Sequence, residues 1–282
     1  MKKLLVIGRT FPEPKTTAAG GHMMDILRFF QNMEYQIIFT STASLSEHSA
    51  QLEALGIPFQ NIVLNDSSFD DLLLEFQADV VLFDRFMMEE QFGWRVNEVL
   101  PDSIKILDTE DLHFLRRARE RALKVNESFS SDHLYNDDTK RELASILRCD
   151  LTLIVSRFEM NLLQETFNVP QSLLMYLPLM VDPASKTENS SFTERAHFIS
   201  VGNFLHAPNL DAVKFLKHDI WPLIRAQLRQ AELHIYGAYA PEHIQQMHQP
   251  SEGFIIAGWV ENLDEVMQNA RICLAPIRFG AG

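Results

Sequence analysis

Disulfide chemistry has almost nothing to work with in this chain. Only Cys149 and Cys273 occur among 282 residues, each isolated, with no Cys-x-x-Cys and no spacing that suits a metal. A disulfide framework is excluded and a reducing compartment fits. Positive charge is also scarce: 25 Lys and Arg face 38 Asp and Glu, a formal net charge of −13. Such a chain repels polyphosphate backbones, so the expectation is no nucleic-acid partner. No apolar run is long enough to span a bilayer, and Leu4-Leu5-Val6-Ile7 behind Lys2-Lys3 is too short for a signal peptide. The expected location is cytoplasmic. Missing too are Gly-x-x-x-x-Gly-Lys-Ser/Thr, a complete Gly-x-Gly-x-x-Gly after the first strand, His-Glu-x-x-His and Gly-x-Ser-x-Gly. Kinase, dehydrogenase, metalloprotease and serine hydrolase chemistries thereby lose their support.

What is present is ample core material, 46% apolar residues with 22% charged, the composition of a folded globular chain. Short β-branched runs alternate with amphipathic helical stretches, which predicts parallel strands covered by helices. The expected strands are 3–8, 35–40, 58–64, 79–84, 104–108, 151–156 and 173–177, with helices at 21–33 and at 47–55, the latter stopped by Gly56 and Pro58. The pattern lapses through the polar stretch 182–191, which suits a linker. A second α/β series follows, with strands at 197–202, 232–237, 254–259 and 272–277 and helices near 209–228, 241–248 and 262–270. The expected domains are 1–185 and 186–282. A doubly wound sheet usually runs to six strands in the order 3-2-1-4-5-6. Ending after a fourth strand therefore predicts an incomplete second domain with a bare apolar edge, as in a truncated chain.

Ligands of open α/β sheets bind beyond the carboxyl ends of the strands, so those exits are where chemistry is sought. After the first strand, Gly20-Gly21 precedes or opens a helix, where backbone can approach a ligand and an anion is favoured. After the fifth strand, Asp108-Thr109-Glu110-Asp111-Leu112-His113 combines carboxylates, an imidazole and the basic cluster Arg116, Arg117 and Arg119. Asp108 and Glu110 resemble a metal pair, but no third or fourth ligand stands at suitable spacing, so the expectation is no metal. Asp111 is expected to cap the helix. His113 shares a helix face with Arg116 and Arg117, which predicts a low-titrating, neutral imidazole able to hydrogen-bond a hydroxyl; the arginines pair with Glu110 and Glu120 or face water. In the second series every strand exit carries glycine, at Gly202, Gly237, Gly258 and Gly280, which suggests a ligand close to the backbone along that edge. Residues 190–282 are nearly neutral, 7 basic against 9 acidic, whereas 1–189 hold 18 against 29. An anionic ligand is therefore better placed in the second series.

In order along the chain, Asp108 to Arg116, Phe198 to Phe204 with Pro208-Asn209-Leu210-Asp211-Ala212, Leu233 to Gly237, Gly258-Trp259-Val260 and Leu274 to Gly282 resemble the family-four retaining glycosyltransferases of GT-B fold. The resemblance implies two Rossmann-like domains facing across a cleft, the first on the acceptor side and the second, incomplete, holding a nucleotide-diphosphate sugar linked to UDP or GDP. It also implies transfer of a hexose, with retention, to a saccharide or glycoconjugate hydroxyl. Neither metal nor cofactor is implied, because fixed positive groups neutralise the leaving diphosphate. His113 would stand near the transferred sugar as the catalytic residue, and Gly20 and Gly21 near phosphate or acceptor. Gly202, Asn203, Gly280, Ala281 and Gly282 would line the diphosphate, and Tyr236, Gly237, Trp259 and Val260 would bracket the base. The loop 203–209 carries neither the arginine nor the lysine usual in the family, leaving Arg278 as the cation. The basic and glutamate residues that follow the glycine-rich exit in the family have no counterpart, so little activity is expected of the chain. Partners extend to peripheral membrane association. The alternatives are a non-catalytic nucleotide-sugar-binding or scaffold protein and a nucleotide-sugar 2-epimerase.

Overall fold

The computed structural model describes residues 1–180 and 191–282. The expected domain boundary at 185/186 and most of the polar linker lie outside the described residues. Contacts divide the chain into two units, one of residues 1–14, 18–180 and 280–282 and the other of residues 15–17 and 181–279.

The first unit contains, in order, β1 (Lys3–Gly8), α1 (Ala18–Asn32), β2 (Gln36–Ser41), β3 (Phe59–Asn61), α2 (Ser68–Phe76), β4 (Val80–Asp84) and α3 (Phe86–Val99). It continues with β5 (Ile104–Asp108), α4 (His113–Lys124), α5 (Asp137–Arg148), β6 (Leu151–Ile154), α6 (Arg157–Glu165) and β7 (Leu174–Tyr176). The seven strands form one parallel sheet in the order β3-β2-β1-β4-β5-β6-β7. Its central strands are apolar without alternation because both faces are covered. Side chains alternate across a strand. Leu5, Ile7, Val81 and Phe83 accordingly enter one core with α2 to α6, while Leu4, Val6, Val80 and Leu82 enter the other with Met23, Met24, Ile26 and Leu27 of α1.

The second unit contains β8 (Ala196–Val201), α7 (Ala207–Phe215), α8 (Trp221–Gln227), β9 (Leu233–Tyr236), α9 (Glu242–Gln245), β10 (Phe254–Gly258), α10 (Leu263–Asn269) and β11 (Ala270–Cys273). Its parallel sheet runs β10-β9-β8-β11, the 3-2-1-4 part of a doubly wound order. On β11, which pairs with β8, Arg271, Ile272 and Cys273 are exposed. The core gathers Phe204, Trp221, Leu233, Ile235, Ile244 and Phe254.

Two expected helices are corrected. Instead of a helix over 47–55 there is one 3-10 turn, Glu53–Leu55, closed by Gly56 at φ 72°. The preceding serines draw the backbone into local turns: Ser46 N–H bonds the Ser49 hydroxyl, and His48 N–H bonds the Ser46 hydroxyl. The single helix over 209–228 is divided by a π-helical turn at Leu216–Ile220 just before Trp221-Pro222. Pro222 lacks the N–H that would continue the ladder, and its ring displaces the carbonyl four residues back.

Candidate functional site

In the first unit the exits of β1, β4 and β5 bring charged groups together. Asp84, at the end of β4, accepts the backbone N–H of Arg9 and Nη1 of Arg85, both at 3.2 Å. Arg85 N–H in turn donates to the carbonyl of Asp108 at 2.7 Å. Arg85 and Glu110, which follow β4 and β5, hold φ of 73° and 58°. Left-handed backbone at non-glycine positions stores strain and concentrates at functional sites.

Helix α4 begins at His113 with Leu112 at its cap position, and no side chain of its own caps it. Asp111 does not serve as the cap, contrary to expectation, because its carboxylate is taken by Arg116. Two buried carboxylates from other helices do the work. Glu142 of α5 accepts the N–H of His113 at 3.1 Å and of Phe114 at 2.9 Å, and Glu159 of α6 accepts that of Leu112 at 2.8 Å. Both glutamates are fully buried, and both meet the positive end of the helix dipole. Burial pushes the Glu159 carboxyl up to about 7, the backbone N–H of Leu112 opposing the shift.

His113 is only 1% exposed. Its Nδ1 lies 3.1 Å from the carbonyl of Asp111 and 3.6 and 3.7 Å from the carboxylates of Glu142 and Asp111, its ring meets Phe86 edge-on, and Nε2 has no partner. The expected surroundings of arginine are corrected. Arg116 pairs with Asp111, Arg117 and Arg121 share Asp138, and Glu120 holds Lys124. The imidazole therefore faces carboxylates.

The expected lack of a third donor beside Asp108 and Glu110 is also corrected. His22 of α1 stands against both, its Nδ1 3.6 Å from Asp108 Oδ2 and 3.5 Å from Glu110 Oε1. None of these three atoms, nor His22 Nε2, has a hydrogen-bond partner. Burial, with Glu110 adding to it, raises the Asp108 carboxyl to about 8. Burial works to lower the His22 pKa, and the carboxylates of Glu110 and Asp108 outweigh it, so the pKa rises. Spacing could not reveal the group because His22 and Asp108 stand 86 positions apart; the one signal was a polar ring on the otherwise apolar face of α1. Glu142 and Glu159 left a similar trace, as charges at buried helical positions.

Helix α1 starts at Ala18, so Gly20 and Gly21 fall in its first turn. A Cβ at Gly20 would meet the backbone of Glu13 at 2.5 Å, whereas one at Gly21 would meet nothing within 4 Å. Gly21 alone of the pair leaves room for another molecule.

In the second unit the glycines of the strand exits differ in kind. A Cβ at Gly202 would strike the Asn209 side chain at 2.6 Å, and one at Gly237 would lie 1.9 Å from the Gly202 carbonyl. Their N–H groups extend the sheet, Gly202 to Tyr236 O at 3.0 Å and Gly237 to Gly258 O at 2.9 Å. What comes close to these two is the chain itself. Gly258, at φ 79°, faces open space. Asn203 is spent on a turn, accepting Leu205 N–H on its side chain and the Asn209 amide on its carbonyl. Tyr236 O–H lies 3.5 Å from His234 Nδ1, exposed Trp259 donates its indole N–H to Lys15 O, and Val260 is half-buried. Arg278 is held by both carboxylate oxygens of Asp211 and lies over the Phe215 ring. Gly280, Ala281 and Gly282 belong to the first unit: Gly280 O accepts from Arg119, Ala281 packs into its core and Gly282 N–H donates to Glu159.

The space enclosed by Ser200, Gly202, Phe204, Asn209 and Tyr236 measures about 10 Å³, room for one water at most. Any larger ligand of this rim lies over it. A wider hollow of about 440 Å³ between α3 and α5 is lined by Trp94 and by Glu89, Glu90, Arg141 and Arg148, whose charges pair with one another.

Residues 195–282 match the family described as Glycosyl transferases group 1. No curated protein matches the chain in sequence. Among solved structures, sucrose-phosphate synthase from Thermosynechococcus elongatus is similar over 100% of this chain and 77% of its own, with a TM-score of 0.65 at 11% identity. WaaG, a glycosyltransferase involved in lipopolysaccharide biosynthesis, is similar over 97% and 75%, with a TM-score of 0.63 at 10% identity. UDP-GlcNAc 2-epimerase from Neisseria meningitidis, bound to UDP-GlcNAc, is similar over 97% and 77%, with a TM-score of 0.57 at 13% identity. The fold is thus the α/β, parallel-sheet fold of GT-B glycosyltransferases. No helix among the described residues is long and apolar enough to cross a membrane.

Proposed function

We propose that the chain transfers a hexose from a nucleotide-diphosphate sugar to a hydroxyl of a saccharide or glycoconjugate, with retention of configuration. One observation carries the reading: the segment that matches group 1 glycosyltransferases folds as its own parallel sheet in 3-2-1-4 order, with its strand exits gathered on one rim. The donor lies over that rim, its base against Tyr236, Trp259 and Val260 and its diphosphate at Gly202, Asn203 and the exit beyond β11. Gly258 offers the backbone approach that Gly202 and Gly237 spend internally. Arg278 reaches the phosphate by exchanging Asp211 for it, one charge-assisted bidentate pair for another.

In the transfer, the acceptor oxygen bonds to the anomeric carbon from the face the diphosphate leaves. The bond from that carbon to the phosphate oxygen breaks, its electron pair stays with the diphosphate, and the acceptor proton passes to the same phosphate. His113, its Nδ1 turned to the Asp111 carbonyl, keeps Nε2 without a partner, and that atom takes a sugar hydroxyl once the residues covering the ring part to admit the sugar. Charge on the leaving group is met by fixed dipoles and guanidinium, the arrangement that stabilises transition states most when water is excluded.

The experiment is sugar release from a panel of UDP-, GDP- and ADP-sugars, with the anomeric configuration of the product read by NMR. Turnover that falls by about 10²-fold or more in His113→Ala, the range of a lost contact that positions the reacting sugar, is expected. Silence across the panel, with donor binding the same in His113→Ala, refutes it. The absence of arginine and lysine from 203–209 favours one other reading, a non-catalytic nucleotide-sugar-binding protein, which predicts binding heat with UDP or GDP and no turnover. Conversion of a UDP-sugar to its 2-epimer without acceptor would identify an epimerase.

A further inference from the structure

We propose that His22, Asp108 and Glu110 form a buried binding site for one divalent transition-metal ion, zinc being the best match, which ties α1 to the exit of β5. The proposal is independent of the sugar-transfer reading.

The case begins with buried atoms that have no hydrogen-bond partner. His22 and Asp108 have side chains with no exposure and Glu110 has 10%, yet the nitrogen and the two oxygens that face one another make no hydrogen bond. Buried polar atoms are nearly always paired, and each unpaired one is costly. Three in one place call for an occupant. The separations define its size. At 3.5 and 3.6 Å, Nδ1 is too far from the oxygens for a good hydrogen bond. Those lengths are close to the edge of a tetrahedral shell, roughly 3.4 Å for bonds of about 2.0–2.1 Å to nitrogen and oxygen. All three donor atoms lie within 4.8 Å of one another. A sugar or phosphate cannot enter so closed a place.

The charge agrees with the size. Binding displaces the protons of Asp108 and His22 and leaves two carboxylates and a neutral imidazole, whose two negative charges a divalent ion cancels. One nitrogen with two carboxylate oxygens suits zinc, and three protein donors leave the fourth tetrahedral position for a water. The donors are already oriented: Asp108 Oδ1 accepts Glu110 N–H at 3.2 Å, which leaves Oδ2 for the ion, and Glu110, at a left-handed φ of 58°, has Oε1 3.5 Å from His22 Nδ1. Because the site is closed, the ion enters as the chain folds and is released slowly; its role is structural.

The test is metal content by plasma mass spectrometry on full-length protein purified without chelator from zinc-supplemented medium. The comparison set is His22→Gln, Asp108→Asn and His197→Gln. The last variant matters because His197, Glu232 and His234 form a second, more exposed group of donors. The expected result is about one zinc per chain in the wild type and in His197→Gln, falling at least roughly tenfold in His22→Gln and Asp108→Asn. Zinc retained by both of these variants but lost from His197→Gln moves the ion to the exposed group and overturns the proposal. So does a wild type with no metal whose melting temperature is the same with zinc and with chelator, a result that leaves the three side chains sharing a water or a proton. Should His22→Gln fail to fold, Asp108→Asn, which keeps the bond from Glu110 N–H, decides the matter.

Discussion

Replacing Glu142 by alanine removes the acceptor of two backbone N–H groups at the start of α4 while leaving His113 itself intact. The carboxylate is fully buried and bonds His113 N–H at 3.1 Å and Phe114 N–H at 2.9 Å. Each buried donor left without a partner costs about 1–3 kcal/mol, and the loss of a charge facing the helix dipole adds up to ~1–2 kcal/mol. Partial entry of water into the cavity returns some of that, so about 3–4 kcal/mol is expected. On a unit of this size that lowers the melting temperature by roughly 10 °C. Glu142→Gln keeps one acceptor oxygen and turns an amide toward the other N–H, so about half the loss is expected. Urea unfolding gives the free energies, and hydrogen exchange at the amides of His113 and Phe114 localises the effect. A cost for Glu142→Ala below about 1 kcal/mol, or unchanged protection at those two amides, would refute the capping argument.

The pH response of the same region has a definite sign. Asp108 and Glu159 hold their protons to about 8 and about 7, whereas unfolded carboxyls release them near ~4. Between these values the folded state binds more protons, so their contribution to stability declines as pH rises toward 8, and the raised pKa of His22 acts in the same sense. Thermal melts from pH 5 to 8.5 in chelator should show Asp108→Asn gaining on the wild type as pH increases; a constant difference would contradict the assignment. Two glycine substitutions should move oppositely. Gly237→Ala places a methyl 1.9 Å from the Gly202 carbonyl and should cost roughly 3 kcal/mol or more in urea unfolding. Gly21→Ala, helical and facing open space, should gain about 0.5–1 kcal/mol, and reduced donor or acceptor affinity in calorimetry would mark Gly21 as a backbone contact.

The sheets were readable because their signal is local. The apolar runs of β1, β4 and β8 are strands in any surroundings that cover both faces, and order follows from right-handed crossovers. What was read poorly depended on competition or distance. Serines at 46 and 49 took the backbone from a helix over 47–55, and Pro222 broke a longer one. His113 stands out in the sequence by its place at a strand exit, but its neighbours were misjudged, because whether Arg116 turns to the imidazole or to Asp111 is settled by tertiary geometry. Glu142 and Glu159 come from helices whose pattern says only that they are amphipathic. His22 illustrates the general difficulty: three donors from two elements have no spacing to recognise.

The alternation along β1 and β4 makes these strands a party wall between two rooms, with odd-numbered residues furnishing one side and even-numbered residues the other. A single inserted or deleted residue at the start of β1 would turn every later side chain of the strand into the opposite room. Neither room can be vacated alone either, since stripping α1 from its side leaves Leu4, Val6, Val80 and Leu82 wet on a wall the other side still needs. The first unit should therefore come apart in one step, with α1 and the distant helices α4 to α6 lost at the same denaturant concentration.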